Sequence, residues 1–359
     1  MCAAIALSRA GVAVELVEIE ENWQALGAGL SMNGATLRAF ERLGNGVLKR
    51  IVAEGYCHDV RKLFDAAGNE TFASPAERIF GPDVPNGGGI LRPVLHEILR
   101  DAVRDTGVKV RLGDSIADFN EAAGGVHVRF VGGDQADYDL IVGADGYHSP
   151  LRHRLFPDAP ASIFTGQGCW RAVVPRPAHI TGACTFLGDQ KVGVNPVSQS
   201  EMYLFLLQHV PDNPWMAPED WRPLLIEQLQ EFGGLIAEIR DNLDDNARIN
   251  YRPLMAHVLP APWHKGRALL IGDAAHATTP HAAYGAGLAV EDAVVLGELV
   301  GRDLPLDQVF EQFMSRRFEK CKRVIEGSIE MGRVELAHGD ADEYRGAWDA
   351  VQSAVRMPI

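Results

Sequence analysis

No Cys-x-x-Cys pair occurs in the chain, and its five cysteines, at positions 2, 57, 169, 184 and 321, are odd in number and widely spaced. A dithiol redox centre has no residues to work with, and free thiols are expected. Basic runs are also missing, and the formal net charge is −14. A polyanion would be repelled, which argues against nucleic acid and anionic membrane surfaces as partners. There is no His-Glu-x-x-His and no Cys/His cluster with ligand spacing, so no metal is expected. No Gly-x-Ser-x-Gly elbow supports serine hydrolysis. No stretch approaches the ~20 apolar residues of a membrane helix. Met1 to Leu7 lack the charged lead and the length of a signal peptide. A cytoplasmic protein is the expectation.

What is present is a globular composition, 47% hydrophobic and 23% charged over 359 residues, enough for one large domain or two interleaved ones. Cys2 to Ala10 reads as a helix apolar on nearly every side, stopped by Gly11. Val12 to Glu18 reads as a buried strand. Helix, glycine, strand and acidic residue form the second half of a dinucleotide-binding βαβ unit, whose acidic residue lies ~20 positions beyond a glycine loop. Counting back from Glu18 runs past Met1, and Gly-x-Gly-x-x-Gly occurs nowhere in the chain. The expectation is that the first strand and its loop lie upstream of Met1. A helix is read over Ala35 to Leu43 and another from Arg92, with Pro93 in its first turn. Strands are read at 108–112 and 126–130, and short β runs follow at 170–174, 191–197 and 202–207. That block suggests an antiparallel sheet inserted in an α/β domain. The last ~60 residues are helical in pattern.

Two segments carry the chemistry. In the first, a strand from Tyr138 runs into Gly143-Ala-Asp145-Gly146, followed by Ser149, Pro150 and Arg152. Glycine lets the backbone approach a ligand closely, and Asp145 can hold the turn or accept from a ligand. In the second, a strand from Gly266 ends in Gly272-Asp273. Pro280-His281-Ala-Ala283-Tyr284-Gly285-Ala286-Gly287 then opens a helix that continues through Leu299. The free N–H groups of that helix start make a site for negative charge.

These segments resemble the Gly-Ala-Asp-Gly and Gly-Asp motifs of the class A FAD-dependent aromatic monooxygenases, the para-hydroxybenzoate and salicylate hydroxylase family. The likeness extends to Glu18, to the turn ending in Ser31 and to Arg92. The family usually has Gly and a small or amide residue where Ala283 and Tyr284 stand here. The resemblance implies a Rossmann-like α/β FAD-binding domain, discontinuous over 1–74, 92–160 and 263–300. It also implies an antiparallel-sheet substrate domain inserted over 75–91 and 161–262, and C-terminal helices over 301–359. By the same resemblance Glu18 would hold the adenosine ribose and Arg92 the diphosphate or ribityl region. Ser31 and Ile116 would line the adenine-ribityl path, and Asp145 would assist FAD and NAD(P)H. Gly272 and Asp273 would bind the ribityl chain, and Pro280 with the backbone of Ala283, Tyr284, Gly285, Ala286 and Gly287 would flank the isoalloxazine.

The resemblance further implies that NAD(P)H reduces the flavin, that O2 adds at flavin carbon 4a, and that the hydroperoxide delivers OH to a small aromatic or N-heteroaromatic acid or phenol. Tyr203 would face the substrate. Arg171, beside Trp170, suits a planar anion. His281 would stand at the flavin edge, with Lys191 as a weaker candidate. A monomer or homodimer is expected. Two other readings are a reductase or halogenase on the same scaffold, the latter without a Trp-x-Trp-x-Ile-Pro motif, and a flavin-free binding or scaffold protein. The missing glycine loop is the argument for the last.

Overall fold

The computed structural model describes residues 1–25, 27–75, 78–122 and 124–359. The chain opens with α1 (Cys2–Arg9), β1 (Glu15–Glu18), β2 (Gly29–Asn33), α2 (Gly34–Leu43) and α3 (Val47–Glu54). It continues through β3 (Tyr56–His58), β4 (Val60–Asp65), β5 (Glu70–Pro75), β6 (Gly87–Leu91) and α4 (Arg92–Arg104). Next come β7 (Lys109–Leu112), β8 (Ile116–Ala122), β9 (Gly125–Phe130), β10 (Gln135–Tyr138), β11 (Ile141–Gly143) and α5 (Pro150–Leu155). The middle holds β12 (Ile163–Pro175), β13 (Ala183–Leu187), β14 (Lys191–Pro196), β15 (Glu201–His209), α6 (Trp221–Gln228), α7 (Gly234–Asp241) and β16 (Arg248–Val258). It ends with β17 (His264–Lys265), β18 (Ala268–Leu270), β19 (His276–Ala277), α8 (Gly285–Val300), α9 (Leu306–Leu336) and α10 (Ala341–Arg356).

The α/β layer is in two pieces. Strand β1 pairs in parallel with β7, and β11 pairs in parallel with β18, which carries β17 on its other side. Among the described residues no strand bonds β1 to β11. Helix α1 is apolar all round because it is enclosed: Ala4, Ile5, Ala6 and Leu7 are buried, and it crosses α8 at Gly297. A Cβ at 297 would stand 2.8 Å from the Ala6 carbonyl, so only glycine allows that approach. Helix α8 is likewise buried on most of its surface, with α9 on its outer side.

The inserted sheet has eight strands in the order β19-β16-β12-β15-β14-β13-β4-β5, antiparallel except for the β13–β4 pair. One face packs Trp170, Val192, Leu204 and Leu206 against Leu225 and Leu229 of the α6 segment and Ile236 of α7. The other face looks into a large cavity.

The sheet corrects two segment boundaries. Residues 60–74, expected within the first FAD-binding segment 1–74, lie in β4 and β5 at its outer edge. Parallel pairing from Ala183↔Arg61 to Leu187↔Asp65 draws them there, and Phe64 stacks on Phe186 with centroids 4.6 Å apart. Conversely, β6, expected in the substrate segment 75–91, pairs with β2 and β3.

Candidate active site

A cavity of about 2470 Å³ lies between the open face of the eight-stranded sheet, the start of α8 and the inner side of α10. Its α8 wall begins at the end of β18. Gly272 adopts φ +58°, which turns its N–H onto Asp292 Oδ2 at 2.8 Å and leaves the Asp273 side chain projecting into the cavity. Asp273 has no hydrogen-bond partner among the described residues. Burial pushes its carboxyl above the usual range, against the pull of His276 and Arg92. Arg92, the first residue of α4, borders the same cavity; its N–H donates to the Ala28 carbonyl at 3.1 Å, while its guanidinium makes no hydrogen bond among the described residues. Burial and the neighbouring Arg171 lower its pKa, while Tyr203 and Asp273 oppose them. A cation and a carboxylate thus face one space without partners of their own.

Pro280 to Ala282 form a single 3-10 turn, and Ala283 then takes the left-handed conformation, φ 48° and ψ 36°. This reversal aims the first turn of α8 at the cavity, which Pro280, His281, Ala283, Gly285 and Ala286 border. Tyr284 borders the cavity at the same turn, but its side chain turns into the core, where it is fully buried and its hydroxyl donates to Glu291. The ring folds over Gly287, where a Cβ would meet it at 2.3 Å, so Gly287 serves that packing and does not border the cavity.

Beneath the α8 entrance lies a closed ionic network. Arg317 donates to Asp292 Oδ1 at 2.7 Å and to Glu291 Oε2 at 2.6 Å, and Lys320 donates to Glu291 Oε1 at 2.7 Å. His276 Nε2 lies 2.6 Å from Asp292 Oδ2. All five side chains are buried. Burial alone would raise the Asp292 carboxyl, but His276 and Arg317 hold it down to about 2. His276, Asp292 and Cys321 bring metal-ligand atoms within 4.8 Å of one another, but Asp292 already spends both oxygens on Arg317, His276 and Gly272.

On the sheet floor, Arg171 Nε donates to the Tyr203 hydroxyl at 3.0 Å. Burial pushes the Tyr203 phenol up to about 12, against the opposing pull of Arg171 and Arg92. The phenol is neutral at pH 7, and its own proton is free to be donated. His281 is buried: Nδ1 lies 2.8 Å from Thr279 Oγ1, and Nε2, which makes no hydrogen bond among the described residues, lies 3.2 Å from Glu335 Oε2. Glu335, from α9, accepts from Lys191, whose Nζ lies 3.4 Å from the Tyr344 hydroxyl on α10. Burial would raise the Glu335 carboxyl, but Lys191 and His281 hold it at about 2. Sequence reading missed Glu335 and Tyr344, since a lone acid or tyrosine in a helical C-terminal segment gives no signal of a cavity wall.

The remaining expected residues fall in three places. Ser31 borders the cavity, where its Oγ accepts from Asn195 Nδ2 at 3.0 Å. Asp145 holds a turn: it accepts from Ser149 Oγ at 2.5 Å and from the Leu151 N–H at 3.0 Å, while its neighbours Ala144 and Gly146 border the cavity. Glu18 accepts from the Glu20 N–H at 3.0 Å, and Ile116 pairs with Phe130 in the β8–β9 ladder; neither borders the cavity.

Residues 1–304 match the model of a family described as FAD binding domain. A putative FAD-dependent monooxygenase, YetM of Bacillus subtilis, is 29% identical over 355 residues, covering 98% of this chain and 95% of its own length. The 2-heptyl-3-hydroxy-4(1H)-quinolone synthase of Pseudomonas aeruginosa is 29% identical over 300 residues, 81% of this chain and 75% of that protein. In fold, the chain superposes on Klebsiella pneumoniae HpxO complexed with FAD and uric acid with a TM-score of 0.83, at 23% identity over 99% of this chain and 90% of that one. Among the described residues no helix is long and apolar enough to cross a membrane. The chain belongs to the FAD-dependent aromatic monooxygenase family, and FAD is its cofactor.

Proposed function

We propose that this monooxygenase hydroxylates a small aromatic or N-heteroaromatic acid or phenol, with NAD(P)H as electron source. The balance is ArH + O2 + NAD(P)H + H+ giving ArOH + H2O + NAD(P)+. The observation that carries the reading is the Arg171–Tyr203 pair on the floor of the cavity that α8, Arg92 and Asp273 enclose.

The residues present suit FAD. Arg92 would hold the diphosphate or ribityl region and Asp273 would accept from ribityl hydroxyls, which satisfies two charged groups that have no protein partner. The backbone around Ala283 to Ala286 would flank the ring, and the free N–H groups of α8 favour negative charge where they point. Glu18 and Ile116 lie outside the cavity and have no part in this assignment. The chemistry FAD supplies when bound is activation of O2 for transfer of one oxygen atom.

The protein's own part is to bind, orient and manage one proton. Arg171 supplies a half-buried positive charge, and Tyr203 donates its hydroxyl proton to a phenolate, enolate or carboxylate oxygen. Such a pair favours the ionised, electron-rich form of an aromatic ring, the form most readily hydroxylated. HpxO has been solved with uric acid, and the Pseudomonas relative is named for a hydroxyquinolone. Both are planar N-heteroaromatic rings with an acidic proton, the class this pair would grip. The test is NAD(P)H oxidation by the FAD-loaded protein against hydroxybenzoates, hydroxyquinolines and purines, with product identified by mass. Substrate-dependent oxidation that yields no hydroxylated product from any ring would refute the reading.

A further inference from the structure

The cavity side of the eight-stranded sheet carries one continuous row of register partners. Phe72 on β5 faces Leu63 on β4, Leu63 faces Thr185 on β13, and Thr185 faces Gly193 on β14. Gly193 faces Phe205 on β15, and Phe205 faces Arg171 on β12. Partners in adjacent strands project from the same face. The row therefore runs from the Arg171–Tyr203 pair outward to the edge of the sheet. At ~4.8 Å per strand, Phe205 and Phe72 stand about 19 Å apart.

The row is smooth as well as apolar. Its one position without a side chain, Gly193, lies under the ring of Phe205, where a Cβ would come within 2.4 Å of the ring. At its outer end Phe72 is 53% exposed, and Ile79 and Leu187, which border the same cavity, are 58% and 48% exposed. Large apolar side chains left open together mark a binding surface. Opposite them α10 contributes Tyr344 and Trp348, and the Arg61 guanidinium of β4 lies 5.1 Å from the Trp348 ring centroid.

We propose that the substrate is an aromatic ring bearing a long apolar chain, alkyl or prenyl. Its polar edge sits at Arg171 and Tyr203, and the chain lies over Phe205, Thr185 and Leu63 toward Phe72. This rests on the ring-hydroxylation reading above and adds the substrate class. Each methylene buried on that floor tightens binding by up to about fourfold.

The experiment titrates the FAD-saturated protein by calorimetry with 4-hydroxyquinolines carrying hydrogen, methyl, pentyl or heptyl at carbon 2. The expected result is a Kd that falls about two- to fourfold per added methylene. Thr185→Trp, which blocks the floor, abolishes that dependence and leaves the Kd of the unsubstituted ring within about twofold. Phe72→Asp, at an exposed edge position where folding is undisturbed, reduces the gain for heptyl alone. A Kd independent of chain length, with the unsubstituted ring bound, overturns the chain assignment and leaves ring hydroxylation standing. So does hydroxylation of hydroxybenzoates by a protein that binds no member of the series. Absence of binding and hydroxylation for every aromatic overturns both.

Discussion

Replacing Arg317 by methionine keeps most of the volume of a fully buried side chain and removes its charge. In the native protein that guanidinium neutralises Asp292 and Glu291 together and donates to the Leu288 carbonyl at 3.1 Å. Without it, Asp292 keeps only His276 and the Gly272 N–H, and Glu291 keeps Lys320 and Tyr284. Breaking a buried pair by removing one partner costs about 3–5 kcal/mol. A 359-residue chain unfolding as one unit has an unfolding entropy of roughly 0.75 kcal/mol/K, so the expected fall in Tm is about 4–7 °C. The loss depends on pH. Asp292 has a folded pKa of about 2 against an ordinary 3.8, so its stabilisation is complete above pH 3.8 and disappears as pH falls through 2. The gap between Arg317→Met and wild type is therefore widest near neutrality and narrows in acid. Scanning calorimetry from pH 2 to pH 8 measures it. Because Asp292 also holds Gly272 beside the cavity, FAD should raise the Tm of the variant by less than it raises that of the wild type. A fall below about 1 °C at pH 7 would refute the view that this network locks α8 to α9 and to the Gly272 turn.

Tyr203→Phe removes the proton donor and keeps the ring, so kcat/KM for a phenolic substrate should fall about tenfold or more, with FAD affinity unchanged; an unaltered kcat/KM would remove Tyr203 from the mechanism. Ala283→Gly relieves a left-handed alanine, a cost of about 1–2 kcal/mol, partly offset by the greater unfolded-state freedom of glycine. Its Tm should stay level or rise by about 1 °C, and a clear drop would contradict the strain at that turn. Glu335, held at about 2 against an ordinary 4.5, contributes stability that is present above pH 4.5 and lost as pH falls through 2. Glu335→Gln should flatten that acid limb in a pH series of thermal melts; an unchanged acid limb would show that Lys191 and His281 do not hold the carboxylate.

Much of the fold was legible because local pattern and burial agreed. The helix at Cys2, the strand ending at Glu18, the helix opening at Arg92 and the β runs at 170–174, 191–197 and 202–207 all lie where period and turn residues put them. Residues 60–74 were assigned to the other layer because β4 joins the sheet through a parallel partner more than a hundred residues away. Strand pairing of that range leaves no local trace. Tyr284 was expected to offer its backbone at the ring, yet its side chain decides the local packing by folding over Gly287 and bonding Glu291. The ionic network was invisible for a related reason: Arg317 and Lys320 lie three apart on α9 and read as an exposed helical face until α8 covers them. Arg171, Tyr203, Arg92 and Asp273 could be named in advance, but their convergence on one cavity could not.

The most direct measurement runs the FAD-loaded protein with NAD(P)H and a hydroxylated ring under 18O2 and follows the label by mass spectrometry. One 18O atom is expected in the aromatic product for each NAD(P)H oxidised. NAD(P)H consumption with the label only in hydrogen peroxide or water, for every ring tried, would contradict it.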